Sequence, residues 1–183
     1  MRVISGKAKG RKLKRVPGDS TRPVMDRVKE SLFNILGDVS GERWLDLFAG
    51  TGQVGIEALS RGAAELVFVD KMRPAIQTIQ ANLRATGLAA GAELVQMDAF
   101  AYLRREGVRP FHLIYVAPPQ YLGLWEEVMG VLDARPSTWL TPHGIVVVQI
   151  DPKEFKKLPL QNLTLYQSRR YGNTRLDFYE RVG

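Results

Sequence analysis

The sequence predicts an α/β fold: a doubly wound, mostly parallel seven-stranded sheet that ends in an antiparallel hairpin, with a small basic β arm ahead of it. Three observations predict it. Short β-type runs alternate with helical periodicity from residue 43 to residue 150. A glycine-rich turn follows the first of these runs. The last two runs flank Gly172-Asn173, a two-residue hairpin turn.

Taken in order, residues 1–23 read as a strand-rich arm, with short β-like pieces at Arg2–Ser5 and Lys12–Val16 among Gly6, Gly10, Pro17, Gly18 and Pro23. Residues 24–183 read as the main domain. Val24–Leu36 carries helical apolar spacing and stops at Gly37. Then follow a strand at Arg43–Leu47, a helix at Gln53–Arg61, a strand at Leu66–Asp70, and a helix at Pro74–Thr86 opened by proline and closed by Gly87. A strand at Glu93–Gln96, a helix at Ala99–Arg105, an apolar strand at Phe111–Val116, a helix at Leu122–Leu132 and an apolar strand at Ile145–Ile150 continue the alternation. The hairpin Leu163–Tyr171 and Thr174–Arg181 breaks it.

The totals narrow the function classes. A chain of 183 residues with 45% hydrophobic and 25% charged residues has the material for one sizeable core. The absence of cysteine excludes disulfides and thiolate chemistry and fits a reducing, cytoplasmic setting. Two histidines, His112 and His143, are too few for a histidine-rich metal site, so no metal is expected. No apolar run approaches the ~20 residues that span a bilayer, and no apolar stretch follows the basic N-terminus, so neither a membrane partner nor a secretory signal is expected. The net charge of +7 is segregated: residues 1–29 hold ten basic and two acidic residues, and the rest is near neutral. A basic arm on a neutral body points to a polyanion.

The strongest local chemistry lies in Asp46-Leu47-Phe48-Ala49-Gly50-Thr51-Gly52, between a strand and a helix. Glycines there let the backbone turn sharply and approach a ligand, and the following helix offers free N–H groups. Asp46, at the strand's end, suits a cationic amine. Gly50-x-Gly52-x-x-Gly55, with Asp70 twenty residues after Gly50, also satisfies the spacing of a nicotinamide-dinucleotide fingerprint. Asp70 suits ribose hydroxyls in either cofactor. Asp98, just past the third strand, suits an adenine amine, or caps the next helix. Pro118-Pro119 after the fourth strand, and the terminal hairpin, are not features of a dehydrogenase.

Several ordered motifs resemble the RsmD family of bacterial 16S ribosomal RNA guanine-N2 methyltransferases, which have the class I methyltransferase fold. They are Arg2-Val3-Ile4-Ser5-Gly6 with Gly10-Arg11-Lys12-Leu13, the run Thr21 through Asn34, the glycine loop continued through Gly62, and Arg170 through Tyr179. The resemblance implies S-adenosylmethionine as cofactor and ribosomal RNA, or the small ribosomal subunit, as partner. It implies that Arg22 and Asp26 lie near the cofactor, that Asp46, Phe48, Gly50, Gly52 and Asp70 hold its amino-acid and ribose parts, and that Asp98 and Ala99 hold its adenine. Lys7, Arg11, Lys12 and Arg15 would grip RNA phosphates.

After its fourth strand the family carries Asp/Asn-Pro-Pro-aromatic. An acceptor oxygen there holds an exocyclic amine toward the methyl donor, and the ring stacks on the base. This chain reads Ala117-Pro118-Pro119-Gln120-Tyr121: the acid is absent and the aromatic comes one place later. Ala117, Pro118, Pro119 and Tyr121 are the expected catalytic set, with backbone carbonyls in place of the acid. Two other readings stand beside this one. They are a nicotinamide-dependent oxidoreductase and an RNA-binding protein that keeps the fold with little or no catalysis.

Overall fold

Apolar runs of four to six residues build the strands of the first of two compact units, Met1–Ala99 and Phe100–Gly183. The computed structural model describes residues 1–18 and 24–183. In the first unit β1 (Arg43–Asp46), β2 (Glu65–Asp70) and β3 (Ala92–Gln96) pair in parallel in the order β3-β2-β1. The pairings Asp46↔Phe68 and Asp70↔Gln96 bring the carboxyl ends of the three strands to one edge.

The helices are α1 (Asp26–Leu36), α2 (Gln53–Ser60) and α3 (Arg73–Thr86). Every residue of α2 is buried, so it has no solvent face. A Cβ on Gly55 would sit 2.4 Å from the Phe68 ring and 2.8 Å from Leu66, so only glycine lets α2 lie this close to β2. By contrast α3 buries one stripe, Ala75, Thr78, Ile79, Asn82 and Leu83, and ends at Gly87 in the left-handed conformation.

The arm differs from the expected pair of strands. Its only ladder pairing among the described residues is the bridge Arg2↔Lys12. The remainder is a turn-rich loop that buries Val3, Ala8 and Leu13. Buried polar groups hold it. The Glu57 carboxylate, on α2, accepts from the Ile4 N–H at 2.9 Å and the Ser5 N–H at 3.0 Å, and pairs with Arg61 at 2.9 Å and Lys29 at 3.4 Å. Ser60 accepts from the Ala8 N–H at 2.9 Å and donates to the Ser5 carbonyl at 2.7 Å. Lys29 therefore does not belong to the solvent-facing basic surface; it is fully buried, and desolvation holds its amine below the ordinary range against the pull of Glu57.

In the second unit β4 (Phe111–Val116) pairs in parallel with β5 (Leu140–Ile150), and the antiparallel pair β6 (Leu163–Tyr171) and β7 (Thr174–Arg181) completes the order β4-β5-β7-β6. The strand β5 begins five residues before the expected start. Pro142, His143 and Gly144 read as strand breakers, but a bulge absorbs them: the register jumps from Phe111↔Leu140 to Leu113↔Ile145. Helix α4 (Ala99–Tyr102) is shorter than expected. Helix α5 (Leu124–Ala134) packs Trp125, Val128, Met129 and Leu132 inward, and a one-turn helix α6 (Pro136–Trp139) was not anticipated. Asp133, near the end of α5, accepts from three successive N–H groups, Gln161, Asn162 and Leu163, and so sets where β6 begins. The seven strands make a mixed, mostly parallel sheet that ends in an antiparallel pair, as the sequence predicts. Among the described residues no helix is long and apolar enough to cross a membrane.

Removing one partner of a buried ion pair leaves the other charge uncompensated. Glu57→Ala is therefore expected to cost about 3–5 kcal/mol in urea unfolding. Lys29→Met/Glu57→Leu together should cost clearly less than that single change.

Candidate functional site

Asp46 ends β1, Asp70 ends β2, and Asp98 lies two residues past β3. Asp46 is buried at the end of β1. Its carboxylate accepts from the Phe48 N–H, while among the described residues Oδ1 has no hydrogen-bond partner. Burial, reinforced by the neighbouring Asp70 carboxylate and only partly offset by the Phe48 N–H, pushes the Asp46 carboxyl up to about 8. A buried acid with an idle oxygen is costly on its own account. It is a ready partner for an incoming cation or hydrogen-bond donor.

Asp70 is the clasp of the turn. Its Oδ2 accepts from the Gly50 N–H and its Oδ1 from the Met72 N–H, both at 2.9 Å. The turn is closed further by Ala49 N–H to the Val69 carbonyl at 3.0 Å and Gly52 N–H to the Ala49 carbonyl at 2.8 Å. Gly50 and Gly52 have φ of +56° and +77°, and a Cβ on Gly50 would meet nothing within 4 Å. Space next to Gly50 thus remains for a ligand, while Gly52 and Gly55 serve backbone shape and helix packing. Asp98 is exposed and precedes α4, whose first residue, Ala99, is buried. Phe48 is half-buried in the turn.

Asp26 opens α1 and lies 3.6 Å from Arg2 of the arm. Arg22 lies outside the described residues. Lys7, Arg11, Lys12 and Arg15 are all exposed, on a loop whose apolar residues face inward. One amide ties that loop to the glycine turn. Asn82, on α3, accepts from the Lys14 N–H at 2.7 Å and donates to the Lys14 carbonyl at 3.1 Å and the Thr51 carbonyl at 3.0 Å. Gln53 donates to the Val24 carbonyl at 3.2 Å.

In the second unit the residues after β4 are Ala117, half-buried, Pro118, buried, and Pro119, exposed. Tyr121 has a positive φ of +64°, and its ring is 60% exposed. Its N–H donates to Glu154 Oε1 at 2.6 Å and its hydroxyl donates to Asp151. Gln149 accepts from the Tyr115 hydroxyl. Among the described residues no cluster of three His, Asp or Glu could hold a metal ion. A surface hollow of about 260 Å³ lies at the other end of β1–β3, against Arg43, Glu65 and Ala92, and holds none of these groups.

Glu57, Ser60, Asn82, Asp151 and Glu154 were not singled out in the sequence. Glu57 had a signal, an acid inside the apolar run Val54–Leu59. So did Asp151-Pro152-Lys153-Glu154, which has the spacing of a capping box and forms one. Asn82 had none, because a polar residue on a helix ordinarily faces water.

The sequence profile described as "Conserved hypothetical protein 95" matches residues 1–180. YlbH of Bacillus subtilis strain 168 is 39% identical over 186 residues, covering 100% of both chains. The Escherichia coli K12 protein named ribosomal RNA small subunit methyltransferase D is 34% identical over 99% of this chain and 90% of its own. Among solved structures, a hypothetical protein of Thermus thermophilus is 34% identical, with a TM-score of 0.83 over 98% of this chain and 99% of its own.

The raised Asp46 carboxyl gives a pH signature. Its folded value, about 8, stands above its ordinary 3.8, so between those values the folded chain holds a proton that the unfolded chain has lost. The Asp46 contribution is therefore most favourable at the acid end and declines as pH rises from about 4 to about 8. Urea unfolding of the wild type and Asp46→Asn across that range should show the variant gaining on the wild type with rising pH. A constant difference would contradict the burial argument.

Proposed function

Because the chain belongs to the RsmD family, we propose that it is a cytoplasmic S-adenosylmethionine-dependent methyltransferase that modifies the exocyclic N2 amine of a guanine in small-subunit (16S) ribosomal RNA. The observation that carries the reading is the partnerless Asp46 Oδ1 beside the open face of Gly50. That oxygen would hold the α-amine of S-adenosylmethionine. The double proline after β4 and the terminal antiparallel pair are not features of a nicotinamide dehydrogenase, which argues against the oxidoreductase reading despite the shared spacing.

The residues fit the cofactor. Asp46 would pair with the amine, and the N–H groups that open α2 would be available to its carboxylate. Asp70 would offer its remaining lone pairs to the ribose hydroxyls beside Phe48, and Asp98, with Ala99, would accept from the adenine amine. Asp26 and Arg22 complete the set. When bound, the cofactor supplies an electrophilic methyl group on a sulfonium sulfur.

At the acceptor, Ala117 and Pro118 offer backbone carbonyls to the guanine N2–H groups, and proline rigidity fixes their direction. Holding both N–H bonds turns the nitrogen lone pair outward. The Tyr121 ring supplies a stacking face. The exposed Lys7, Arg11, Lys12 and Arg15 hold the phosphates, on an arm that Glu57 and Asn82 keep rigid against the glycine turn.

Methyl-labelled S-adenosylmethionine incubated with 16S ribosomal RNA, and with small subunits, is expected to place label in N2-methylguanine. Ala117→Asp restores the family's acceptor and is expected to raise kcat on the order of 10²-fold, with the KM for the cofactor nearly unchanged. A silent wild type beside an active Ala117→Asp would favour the RNA-binding reading instead. Cofactor affinity is expected to rise with pH toward about 8, because Asp46 must release its proton to pair. Above roughly 8 it should fall as the ligand's own amine deprotonates. Calorimetry with Asp46→Asn should show weaker binding with the acid limb flattened.

A further inference from the structure

The near-neutral body conceals a second basic segment. Residues 153–175 hold six basic residues, Lys153, Lys156, Lys157, Arg169, Arg170 and Arg175, and one acid, Glu154. Two of the six are engaged. Lys156 pairs with Glu126 at 2.9 Å, and Arg175 pairs with Asp177 at 2.8 Å and lies over the Phe155 ring at 3.5 Å. Lys153, Lys157, Arg169 and Arg170 are exposed and make no salt bridge among the described residues.

Topology gathers this charge at one end of the second unit. Strands β4 and β5 are parallel, so residues 117–121 and 151–154 both leave at their carboxyl ends. Strand β7 runs the other way, and the pairings Ile150↔Arg175 and Arg170↔Arg175 return the tip of the β6–β7 hairpin to that same end. The Lys153 N–H donates to the Asp151 carboxylate at 2.9 Å, and the Tyr121 hydroxyl, assisted by the Lys153 N–H and the charges of Lys153 and Arg170, holds that carboxyl below its ordinary range. The Tyr121 hydroxyl donates to that same carboxylate.

A bulky residue rarely adopts the positive φ of Tyr121, and its neighbours must over-determine the conformation. They do so here: Asp151 takes the hydroxyl, Glu154 takes the backbone N–H, and a capping box locks the two acids to each other's backbone. The result is an aromatic ring preset toward solvent, flanked by cations that no salt bridge engages.

We propose that the turn Pro152–Glu154, the tip of the β6–β7 hairpin and the Tyr121 ring form a second RNA-binding surface, separate from the N-terminal arm. Lys153 and Arg170 take phosphates of the single-stranded stretch that carries the guanine stacked on Tyr121. Cations beside a clamped, exposed aromatic suit unpaired RNA, whose bases offer π-faces and whose backbone offers regularly spaced charge. The inference rests on the proposed RNA substrate and extends it to a surface in the second unit.

The test is filter binding of a 16S ribosomal RNA transcript between about 50 and 200 mM salt. Lys153→Gln/Arg170→Gln is expected to flatten the dependence of log K on log salt by ~0.7 to 0.9 for each phosphate no longer neutralised. Tyr121→Ala is expected to weaken binding at every salt concentration while leaving the slope unchanged, because stacking releases no counterions. Lys7→Gln/Arg11→Gln serves as the comparison on the arm, and unchanged cofactor affinity and Tm show that each variant is folded. A slope equal to wild type in Lys153→Gln/Arg170→Gln, while the arm variant flattens, overturns the second surface, leaves the proposed function standing and points those cations to an acidic protein instead. A wild type that binds no ribosomal RNA at all overturns both.

Discussion

A carboxylate sealed at the end of β1 with one oxygen idle is the constraint around which the first unit is organised. Asp46 is stabilised by one N–H, from Phe48, and opposed by the nearby Asp70. No other described group completes it. Such an arrangement is unfavourable for stability, since a neutral side chain would lose less solvation on burial. It becomes favourable when a cationic group arrives. The glycine turn follows from the same need: Gly50 leaves the approach open, and Asp70 clasps the turn through the Gly50 N–H.

The proposed RNA contact of the basic arm would depend on buried groups as well as on its own charges. A chain of exposed lysines and arginines would be a solvated tail that loses conformational entropy on meeting RNA. Here Glu57, Ser60 and Asn82 hold its backbone, and a Cβ on Gly6 would lie 1.9 Å from the Ser60 carbonyl oxygen. The ordering cost is met during folding, so exposed cations such as Lys7 and Arg11 are presented on a fixed surface. Asn82 binds both Lys14 and Thr51, which places arm and cofactor turn in one hydrogen-bonded piece.

The second unit follows a different plan. Its clamp, Asp151 with Glu154, positions a ring instead of a backbone loop. The motif after β4 has alanine at position 117, so the proposed acceptor relies on backbone carbonyls. In the proposed site the rigid prolines, two carbonyls and Tyr121 would orient an amine more than activate it. Methyl transfer from a sulfonium depends chiefly on distance and alignment, so orientation is the larger part of what the site must provide.

Periodicity and turn chemistry were enough to read the α/β alternation, the glycine turn and the hairpin at Gly172-Asn173, because each depends on residues near one another in the chain. The same holds for Asp46 and Asp70, whose places follow from where strands end. The bulge that carries β5 through Pro142 and Gly144 was not legible, since it depends on pairing with β4 rather than on local preference. Nor were Glu57 and Asn82, whose partners lie 52 to 68 residues away in the arm. Charge totals concealed the surface at Lys153 and Arg170, because acids elsewhere in the body cancel it in any sum along the chain. A linear string of residues sets which groups exist and which local shapes they prefer. Burial, and the meeting of distant segments, determines which charges are exposed, which are paired, and which carboxylate is left waiting for a ligand.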